Sequence, residues 1–574
     1  MRTSMTLVKN ALGLMNSRIW TGMACLLLGS PVAAQAQFDC ADNKDRTITI
    51  TKYTGRGGVV DIPYTINKRL VTCIGDAAFK NCTSLTSVKI PSGVTRISSE
   101  AFRGCNSLTS VAIPASVTSI GGKAFRFCFR LPGITIPASV TNIEYEAFYH
   151  CTRLDSITIP SSVTSIGNAV FGDCRRLTAI MVDADNPAYS SADGVLFDKD
   201  KTTLIEYPAG KERSITLPAS VTSIGEFNNR TCLTAIMVDP GNVTYSSVDG
   251  ILFDKNTTRL IQCPGGKDGS ITLPKSVASI GDRAFLGCDL LKKILVDAGN
   301  ASYSSADGVL FDKNKTRLIQ CPMGRAGSYT TIPASVTSIE AGAFRNCNKL
   351  NSVKIPRGVT SISGETFNEC ANLNRIEVDG ANPAYSSSSE DGVLFDKRKT
   401  TLVKYPRGKP GRYTTMPASV TSIGDGAFQK SGLASITIPS SVAGIGDGAF
   451  NSCANLADVT IQKGSTSIGN NAFRDCNRLV NVTIPASVAS IGKEAFRNCN
   501  SLLSITIPAS VTSIGDGAFN NCANLRVVDF KGNAPSIGGP KIFDRSDKVG
   551  VNYPKGATGW GPTFGGRTTV ASKK

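Results

Sequence analysis

The sequence predicts a repeat solenoid, a stack of short parallel β-strands that units of 23 residues supply in turn. Isoleucines recur at this step as Ile74, Ile97, Ile120, Ile143 and Ile166, and again as Ile445, Ile468, Ile491 and Ile514. Phenylalanines keep the same step as Phe79, Phe102, Phe125, Phe148 and Phe171. Cysteines keep it as Cys82, Cys105, Cys128, Cys151 and Cys174. Three markers on one spacing identify an internal repeat.

Each unit reads L-x-x-I-x-I-P-x-S-V-T-S-I-G-x-x-A-F-x-x-C and is too short to bury its own apolar side chains. Units must therefore stack, so that each recurring position forms a column through the array. The L-x-x-I-x-I segment alternates like a strand, and the proline that follows it lacks the amide that would extend the ladder. The glycine after the next isoleucine marks a turn.

The first 36 residues have the organisation of an export signal. A positive flank precedes a mostly apolar run from Ile19 to Gly29, and Ala34-Gln35-Ala36 forms a small-x-small cleavage site. A membrane anchor is the weaker alternative because this run is about half the length of a spanning helix. Lipid attachment at Cys25 is weaker still, since the residues before it are only mildly apolar. We therefore expect a secreted or cell-surface protein with no transmembrane segment in its mature chain.

The phrase ITIPASVTSIGDGAFNNCANL resembles the BspA-type, or Treponema pallidum-type, class of leucine-rich repeat. Similar units extend from about Leu70 to Phe530. The resemblance implies a leucine-rich-repeat stack of short parallel β-strands. It also implies a secreted or surface protein, because most members of that family are, and adhesion or matrix binding is attributed to some of them.

Four longer units interrupt the spacing, beginning at Val182, Val238, Val296 and Val378. Each contains Asp-Gly, an apolar strand, a D-K-x-x-T turn and a second apolar strand, which predicts a β-hairpin. Such insertions either project from one side as a binding surface or cover an edge and set the curvature. Asp198 and Asp200 could suggest calcium, but the other copies read D-K-N and D-K-R, which favours a polar turn.

The resulting organisation has six segments. Residues 1–36 are the signal peptide, 37–70 an atypical N-terminal cap and 71–181 regular repeats. Residues 182–410 are repeats with hairpins, 411–530 regular repeats and 531–574 a C-terminal cap. Terminal repeats must hide the open core from water, so atypical ends are expected. Trp560 is interpreted as an anchor of the C-terminal cap in preference to a ligand platform.

Eighteen cysteines could indicate disulfides or a metal site, but thirteen of them occupy one position per repeat. Side chains on successive parallel rungs point the same way, which is poor geometry for a bridge. A buried column of thiols is the favoured interpretation. Cys263 and Cys321 fill a hairpin position that holds Tyr207 and Tyr405 in the other copies. A disulfide between Cys40 and Cys73, which lie outside the column, is left open.

The sequence does not predict an enzyme, and no cofactor or metal is expected. His150 is the single histidine, and its position in the repeat is variable, so a catalytic triad or a histidine metal site is disfavoured. Carboxylate pairs could in principle hydrolyse glycosides, but the acids recur beside glycine in turns, as Asp193 and Asp249 do.

The position after each repeat phenylalanine is often basic. We call these residues the basic ridge: Lys80, Arg103, Arg126, Arg345, Arg474 and Arg497. Removal of three positive side chains with the signal would lower the net charge from +18 to +15. A positive field favours an anionic polysaccharide, lipid headgroups or an acidic protein as ligand. The alternative is a solvated flank that keeps the array soluble, and nucleic acid is disfavoured because few aromatic residues interleave with the basic ones.

Two rungs break the pattern. After Ile224, Asn229 takes the phenylalanine position, and after Ile423, Ser431 replaces the cysteine. We expect local bending or lower stability at both rungs. The sequence as a whole predicts a secreted binding or adhesion scaffold. A self-associating structural component of the envelope or matrix is the alternative.

Overall fold

A computed structural model describes residues 37–211, 214–225, 233–409, 411–414 and 416–572. In these ranges every regular element is a β-strand, and the chain winds through about 21 turns of a β-solenoid. The predicted solenoid is therefore confirmed. The chain divides into two compact units. The first runs to Asn256 and includes Leu260–Gly266 and Asp282–Gly287, and the second comprises Thr257–Arg259, Lys267–Gly281 and the chain from Cys288 onward.

The first unit begins with strands that cover the end of its core. These are β1 (Phe38–Asp42), β2 (Ile48–Tyr53), β3 (Gly58–Asp61), β4 (Thr65–Ile66) and β5 (Arg69–Ile74). β1 pairs antiparallel with β2, and β2 pairs parallel with β5. The ring of Tyr53 stacks on Phe79 with 4.9 Å between centroids, and Phe38 packs against both rings. The first phenylalanine of the column is thereby shielded from water.

The regular rungs of the first unit build two parallel ladders. Their strands are β6 (Leu85–Lys89), β7 (Arg96–Ile97), β8 (Ser110–Ala112), β9 (Ser119–Ile120), β10 (Asn142–Ile143), β11 (Ser156–Ile159), β12 (Ser165–Ile166) and β13 (Ala179–Val182). The Ser-Ile segments pair in the order β5-β7-β9-β10-β12, which sets Ile74 beside Ile97 and each later isoleucine beside the next. The L-x-x-I-x-I segments pair as β3-β6-β8 and β11-β13.

The hairpin units are built into the solenoid. In the first copy β14 (Tyr189–Ala192), β15 (Val195–Asp198) and β16 (Thr203–Glu206) form an antiparallel meander. β16 then pairs parallel with β18 (Ser223–Ile224), so that Leu204 enters the isoleucine ladder. Val195, Leu196 and Phe197 are buried. The predicted hairpins are present, and their apolar strands form core layers rather than a projecting surface.

Each hairpin unit also contains a buried asparagine that the sequence analysis missed. In the first copy Asn186 donates from Nδ2 to the carbonyl oxygens of Pro160 (2.8 Å) and Val163 (2.9 Å). Its Oδ1 accepts from the amides of Ala188 and Tyr189. The same four bonds recur at Asn242, Asn300 and Asn382, all fully buried. The asparagine satisfies polar groups that the longer loop would otherwise leave unpaired in the core. The repeated V-D-x-x-N-x-x-Y-S-S phrase was the available signal.

The remaining strands continue the same scheme. Those that lie in the first unit or end in it are β17 (Ser214–Leu217), β19 (Ala235–Val238), β20 (Tyr245–Val248), β21 (Ile251–Asp254) and β22 (Arg259–Gln262). The second unit continues with β23 (Gly269–Leu273), β24 (Ser279–Ile280), β25 (Leu291–Val296), β26 (Tyr303–Ala306), β27 (Val309–Asp312), β28 (Arg317–Gln320), β29 (Gly327–Tyr329), β30 (Ser338–Ile339), β31 (Leu350–Ile355), β32 (Ser361–Ile362), β33 (Arg375–Val378), β34 (Tyr385–Ser387), β35 (Leu394–Asp396), β36 (Thr401–Lys404), β37 (Gly411–Tyr413) and β38 (Ser422–Ile423).

The second unit ends with regular rungs and a short closing segment. These strands are β39 (Leu433–Ile438), β40 (Gly444–Ile445), β41 (Asp458–Ile461), β42 (Ser467–Ile468), β43 (Asn481–Thr483), β44 (Ser490–Ile491), β45 (Ser504–Ile507), β46 (Ser513–Ile514), β47 (Val527–Phe530), β48 (Ser536–Ile537), β49 (Gly550–Pro554), β50 (Thr563–Phe564) and β51 (Arg567–Ser572). Trp560 stacks on Tyr553 at 4.9 Å and contacts Phe530, and its Nε1 donates to the carbonyl of Gly532. Trp560 therefore packs within the closing segment.

Stacked phenylalanine rings form the centre of each unit. Ring centroids are 4.9 Å apart for Phe79 and Phe102 in the first unit and 5.1 Å apart for Phe450 and Phe473 in the second. Tyr405 takes the same position at a hairpin and stacks on Phe428 at 5.0 Å. The tyrosine and cysteine of the hairpin repeats thus substitute for the column phenylalanine.

The described cysteines of the column are buried, as expected, except Cys82, which is half-buried. Most of its thiols donate to the carbonyl oxygen of the phenylalanine 26 residues earlier, as Cys128 does to Phe102 at 3.3 Å and Cys499 to Phe473 at 3.2 Å. Burial raises the pKa of both thiols well above the ordinary value. A thiol is small enough for the column and supplies a second donor to a carbonyl that already accepts from the amide of its own turn, as the carbonyl of Phe102 does from Cys105.

The disulfide left open between Cys40 and Cys73 is not formed, and both thiols are unbridged. Cys40 lies on β1 and Cys73 on β5, and β2 lies between these strands. Two strand spacings amount to about 9.5 Å, which exceeds the separation a disulfide spans.

The irregular rung at Ile423 keeps a closed core. Phe428 is fully buried, and Ser431 Oγ lies 3.4 Å from the thiol of Cys453. Serine therefore replaces the cysteine without opening the column, and the lower stability of this rung stays a prediction. The other irregular rung includes residues 226–232, and the predicted export signal covers residues 1–36. Both lie outside the described residues.

Candidate functional site

The basic ridge lies on the turns that follow the phenylalanine column. Its members fall into two sets: Lys80, Arg103 and Arg126 in the first unit, and Arg345, Arg474 and Arg497 in the second. All are half-buried except Arg345, which is exposed. The residue after the column phenylalanine points away from the core, because the phenylalanine itself faces inward.

Acidic side chains of the same turns pair with the ridge in the first unit. Glu100 contacts both Lys80 Nζ and Arg103 Nη1 at 2.5 Å. Glu146 contacts Arg126, and its Oε2 lies 4.0 Å from Lys123 Nζ. Each glutamate directly precedes the Ala-Phe pair of its rung. Glu100 contacts one cation of the preceding rung and one of its own rung, and Glu146 contacts two cations of the preceding rung. One carboxylate therefore bridges two cations.

The second unit repeats this arrangement. Glu494 contacts Arg474 Nη1 at 2.9 Å and Arg497 Nη1 at 2.7 Å. Glu494 again precedes an Ala-Phe pair. The sequence analysis missed these glutamates, although E-A-F at residues 100–102, 146–148 and 494–496 was a readable signal.

The ion pairs are partly shielded from solvent. Burial by itself opposes ionisation of Glu100, but the hydrogen bonds and charges of Lys80 and Arg103 outweigh it and lower the pKa of the carboxyl group. The ridge is consequently a row of alternating charges rather than a continuous positive field. Exposed cations stand beside this row at Arg130, Arg153, Lys349 and Arg478, after the column cysteines.

Acids in the turns of the hairpin units serve local structure. Asp193 pairs with Lys211 at 3.1 Å and Asp391 with Lys409 at 3.3 Å, each between the Asp-Gly turn and a following loop. Asp198 accepts from the amide of Thr203 at 2.9 Å and also from the hydroxyl of Thr202. Asp198 thereby organises the D-K-x-x-T turn as a polar turn, whereas Asp193 and Asp391 belong to the Asp-Gly turns. Among the described residues, no group of three acidic, cysteine or histidine side chains is arranged to hold a metal ion.

His150 lies on the flank of the first unit. Its Nδ1 is 2.6 Å from Asp173 Oδ2, a contact that is an ion pair when the imidazole is protonated. The ring also packs against Phe127, Phe129 and Tyr149. The neighbours of the histidine are thus aromatic side chains and a carboxylate.

A buried lysine distinguishes the last hairpin unit. Lys404 is 3% exposed and donates to the carbonyl oxygens of Gly364 (3.0 Å) and Gly426 (2.9 Å) and to Asn368 Oδ1 (3.1 Å). Burial lowers the pKa of its amine to about 8. The equivalent position holds Gln320 in the preceding copy. All three donors of Lys404 bond to the surrounding turns.

The described part of the chain includes no helix of the length and apolar character that a membrane crossing requires.

A family model described as the BspA type leucine rich repeat region matches residues 69–189, 267–322, 326–389 and 412–549. No curated protein matches the chain significantly.

Several solved structures are similar. A leucine-rich repeat protein of Treponema pallidum is 28% identical, with 33% of this chain and 79% of that chain covered and a TM-score of 0.25. A leucine-rich cell surface protein of Faecalibacterium prausnitzii is 26% identical, with coverage of 86% and 93% and a TM-score of 0.26. A leucine-rich repeat protein of Eubacterium ventriosum is 18% identical, with coverage of 81% and 93% and a TM-score of 0.31.

Proposed function

Because the chain belongs to the BspA-type leucine-rich repeat family, we propose that it is an exported surface protein that binds an acidic macromolecule. Leucine-rich repeat proteins are generally protein-binding scaffolds without catalytic machinery. An acidic protein is the first candidate ligand and an anionic polysaccharide the second. The observation that carries the proposal is the basic ridge, whose charged side chains are held by ion pairs within each of the two units.

The ridge supports binding through its geometry. Ion pairs with Glu100, Glu146 and Glu494 hold five of its six cations. A cation held in place loses little side-chain entropy when a ligand carboxylate joins it. The neighbouring Arg130 and Arg153 are exposed and add positive charge that the bridging glutamates do not neutralise. The ridge is therefore suited to a ligand with several acidic groups along its length.

The test uses the exported protein purified from the surface or medium of expressing cells. Binding to acidic and neutral proteins and polysaccharides is measured at low salt and at about 0.15 M salt. We expect binding to acidic ligands that weakens with salt, and that weakens further in a variant with Arg103→Ser, Arg126→Ser, Arg474→Ser and Arg497→Ser.

Two variants act in the opposite direction and serve as a matched control. Glu100→Gln and Glu494→Gln remove the bridging carboxylates and leave every cation in place. If the ridge is the working surface, these variants bind acidic ligands more tightly than the wild type. If neither the arginine nor the glutamate substitutions change binding, the ridge is not the binding site. Self-association without any other ligand would favour a structural role.

A further inference from the structure

One flank of the first unit carries a cluster of aromatic side chains. We call it the aromatic patch: Phe127, Phe129, Tyr149 and His150. Ring centroids are 5.9 Å apart for Phe127 and Phe129, 5.6 Å for Phe129 and His150, and 5.8 Å for Tyr149 and His150. All four side chains are partly exposed. The patch spans two neighbouring rungs.

The patch residues stand at positions that hold polar or charged side chains in most other rungs. The position of Phe127 and His150 holds asparagine in four rungs: Asn81, Asn346, Asn498 and Asn521. The position of Phe129 holds threonine at Thr83 and Thr152. Tyr149 stands at a ridge position, where the two preceding rungs have Arg103 and Arg126.

Two of these aromatic residues occupy a strained backbone conformation. Phe127 has φ of 64° and His150 has φ of 63°, both in the left-handed region. Asn498 has φ of 61° at the equivalent position, and asparagine tolerates this region far better than a bulky residue does. Other rungs adopt the same region at this position, Glu369 at 63° and Lys430 at 56° among them, so the turn imposes the conformation and does not itself require an aromatic side chain.

Cations are built into the patch. The Arg126 guanidinium lies over the rings of Phe127 and Tyr149, with 4.7 Å and 4.8 Å to the centroids, and it also contacts Glu146. The exposed Arg130 follows Phe129 in the chain. Aromatic and arginine side chains dominate the binding energy of protein interfaces.

We propose that the aromatic patch is a docking site for an acidic segment of another protein, one that carries an aromatic or apolar side chain beside its carboxylates. The proposal rests on the proposed function and identifies the partner for one part of the ridge. Charge complementarity favours an acidic segment, because Arg126 is fixed in the patch and Arg130 is exposed beside it. A protein is favoured over a polysaccharide because a guanidinium already covers one face of Phe127 and of Tyr149, faces on which a sugar ring would stack.

The test compares three probes on the full exported chain: a random copolymer of glutamate and tyrosine, polyglutamate, and heparin. The patch variant carries Phe127→Asn, Phe129→Thr and His150→Asn, each a residue found at that position in other rungs. We expect it to bind the copolymer at least about tenfold more weakly than the wild type does. Its binding to polyglutamate is expected to change by less than about twofold, because its arginines are intact.

The matched control carries Arg474→Asn and Arg497→Asn in the second unit. It should weaken binding to polyglutamate and to the copolymer by the same factor, because it removes charge and no aromatic ring. Thermal unfolding checks that the patch variant is folded, with an expected midpoint no lower than that of the wild type.

The outcomes separate the two proposals. If the wild type binds polyglutamate in a salt-dependent way but the patch variant binds the copolymer as tightly as the wild type, the patch proposal is overturned and the ridge stands. A loss confined to heparin would make the patch a polysaccharide site and overturn the protein partner. Failure of the wild type to bind any of the three probes would overturn the ridge and the patch together.

Discussion

The flank beside Phe125 and Phe148 and the flank beside Phe473 and Phe496 differ outside an equivalent core. In both regions the rings stack 5.3–5.5 Å apart and a thiol donates to a phenylalanine carbonyl. The first flank carries the aromatic patch, whereas the second carries arginines, asparagines and carboxylates. Packing restricts the inward positions to a few residue types, and the outward positions are free to acquire a ligand-specific surface.

The largest expected effect concerns what the two regions share. Phe125→Ala and Phe473→Ala each remove a fully buried ring from the middle of a column, and each should destabilise its unit by about 3–5 kcal/mol. Chemical denaturation measures the loss of unfolding free energy, and hydrogen exchange of the neighbouring rungs shows where the loss occurs. Exposed Arg153→Ser and Arg478→Ser are the controls. A cost much smaller in one region than in the other would show that the two cores are not equivalent.

The next effect is a pH dependence of stability that is expected at the hairpin unit with the buried Lys404. The pKa of Lys404 in the folded protein is about 8, below its unfolded value of about 10.4, so burial disfavours the charged amine. The resulting penalty is fully present below pH 8 and is relieved as the pH rises from 8 toward 10.4. Relative to Lys404→Gln, the wild type should therefore gain up to about 3 kcal/mol of stability over this range.

Unfolding midpoints of the wild type and Lys404→Gln between pH 7 and pH 10 test this prediction. Gln320→Asn, at the equivalent position of the preceding hairpin unit, is the control, because it changes no titratable group. A difference between the wild type and Lys404→Gln that is independent of pH would contradict the pKa of the buried lysine.

Substitutions in the aromatic patch are expected to raise stability by a smaller amount. Phe127→Asn and His150→Asn relieve left-handed strain, and each should stabilise the first unit by about 1 kcal/mol once the lost ring contacts are included. Asn498→Phe in the second unit is the reverse substitution and should destabilise it. Equal midpoints for all three variants would mean that the turn does not discriminate between these residues.

The smallest effect concerns the bridging glutamates. Glu100→Gln should cost about 1 kcal/mol or less at neutral pH, because its partners are partly hydrated. The pKa of Glu100 is lowered in the fold, so its contribution is present above the unfolded pKa of about 4.3 and is lost as the pH falls below it. The wild type and the variant should thus converge in stability in acid, as unfolding between pH 3 and pH 6 will measure.

The repeat, its three columns and the parallel strands could be predicted from spacing alone, because a 23-residue step allows one stacking register. The burial of Cys128 and Cys499 followed from that register. The position of Lys80 and Arg103 on one flank did as well. The sequence shows the aromatic residues Phe127 and Phe129, but it does not show that both rings pack against His150 of the next rung.

Other features depend on contacts between residues of different rungs, about 20 to 26 positions apart. Glu100, in the next rung, pairs with Lys80 and neutralises its charge. The number of basic residues in the sequence therefore overestimates the positive electrostatic field of the ridge. The hairpin strands could be predicted from the sequence, but the contacts of Asn186 with the preceding rung, and the burial of Val195 and Phe197 in the core, are set by the stacking. Residue spacing specifies the position that each side chain occupies, and the ionic and hydrogen-bond partner at that position is decided only when the rungs stack.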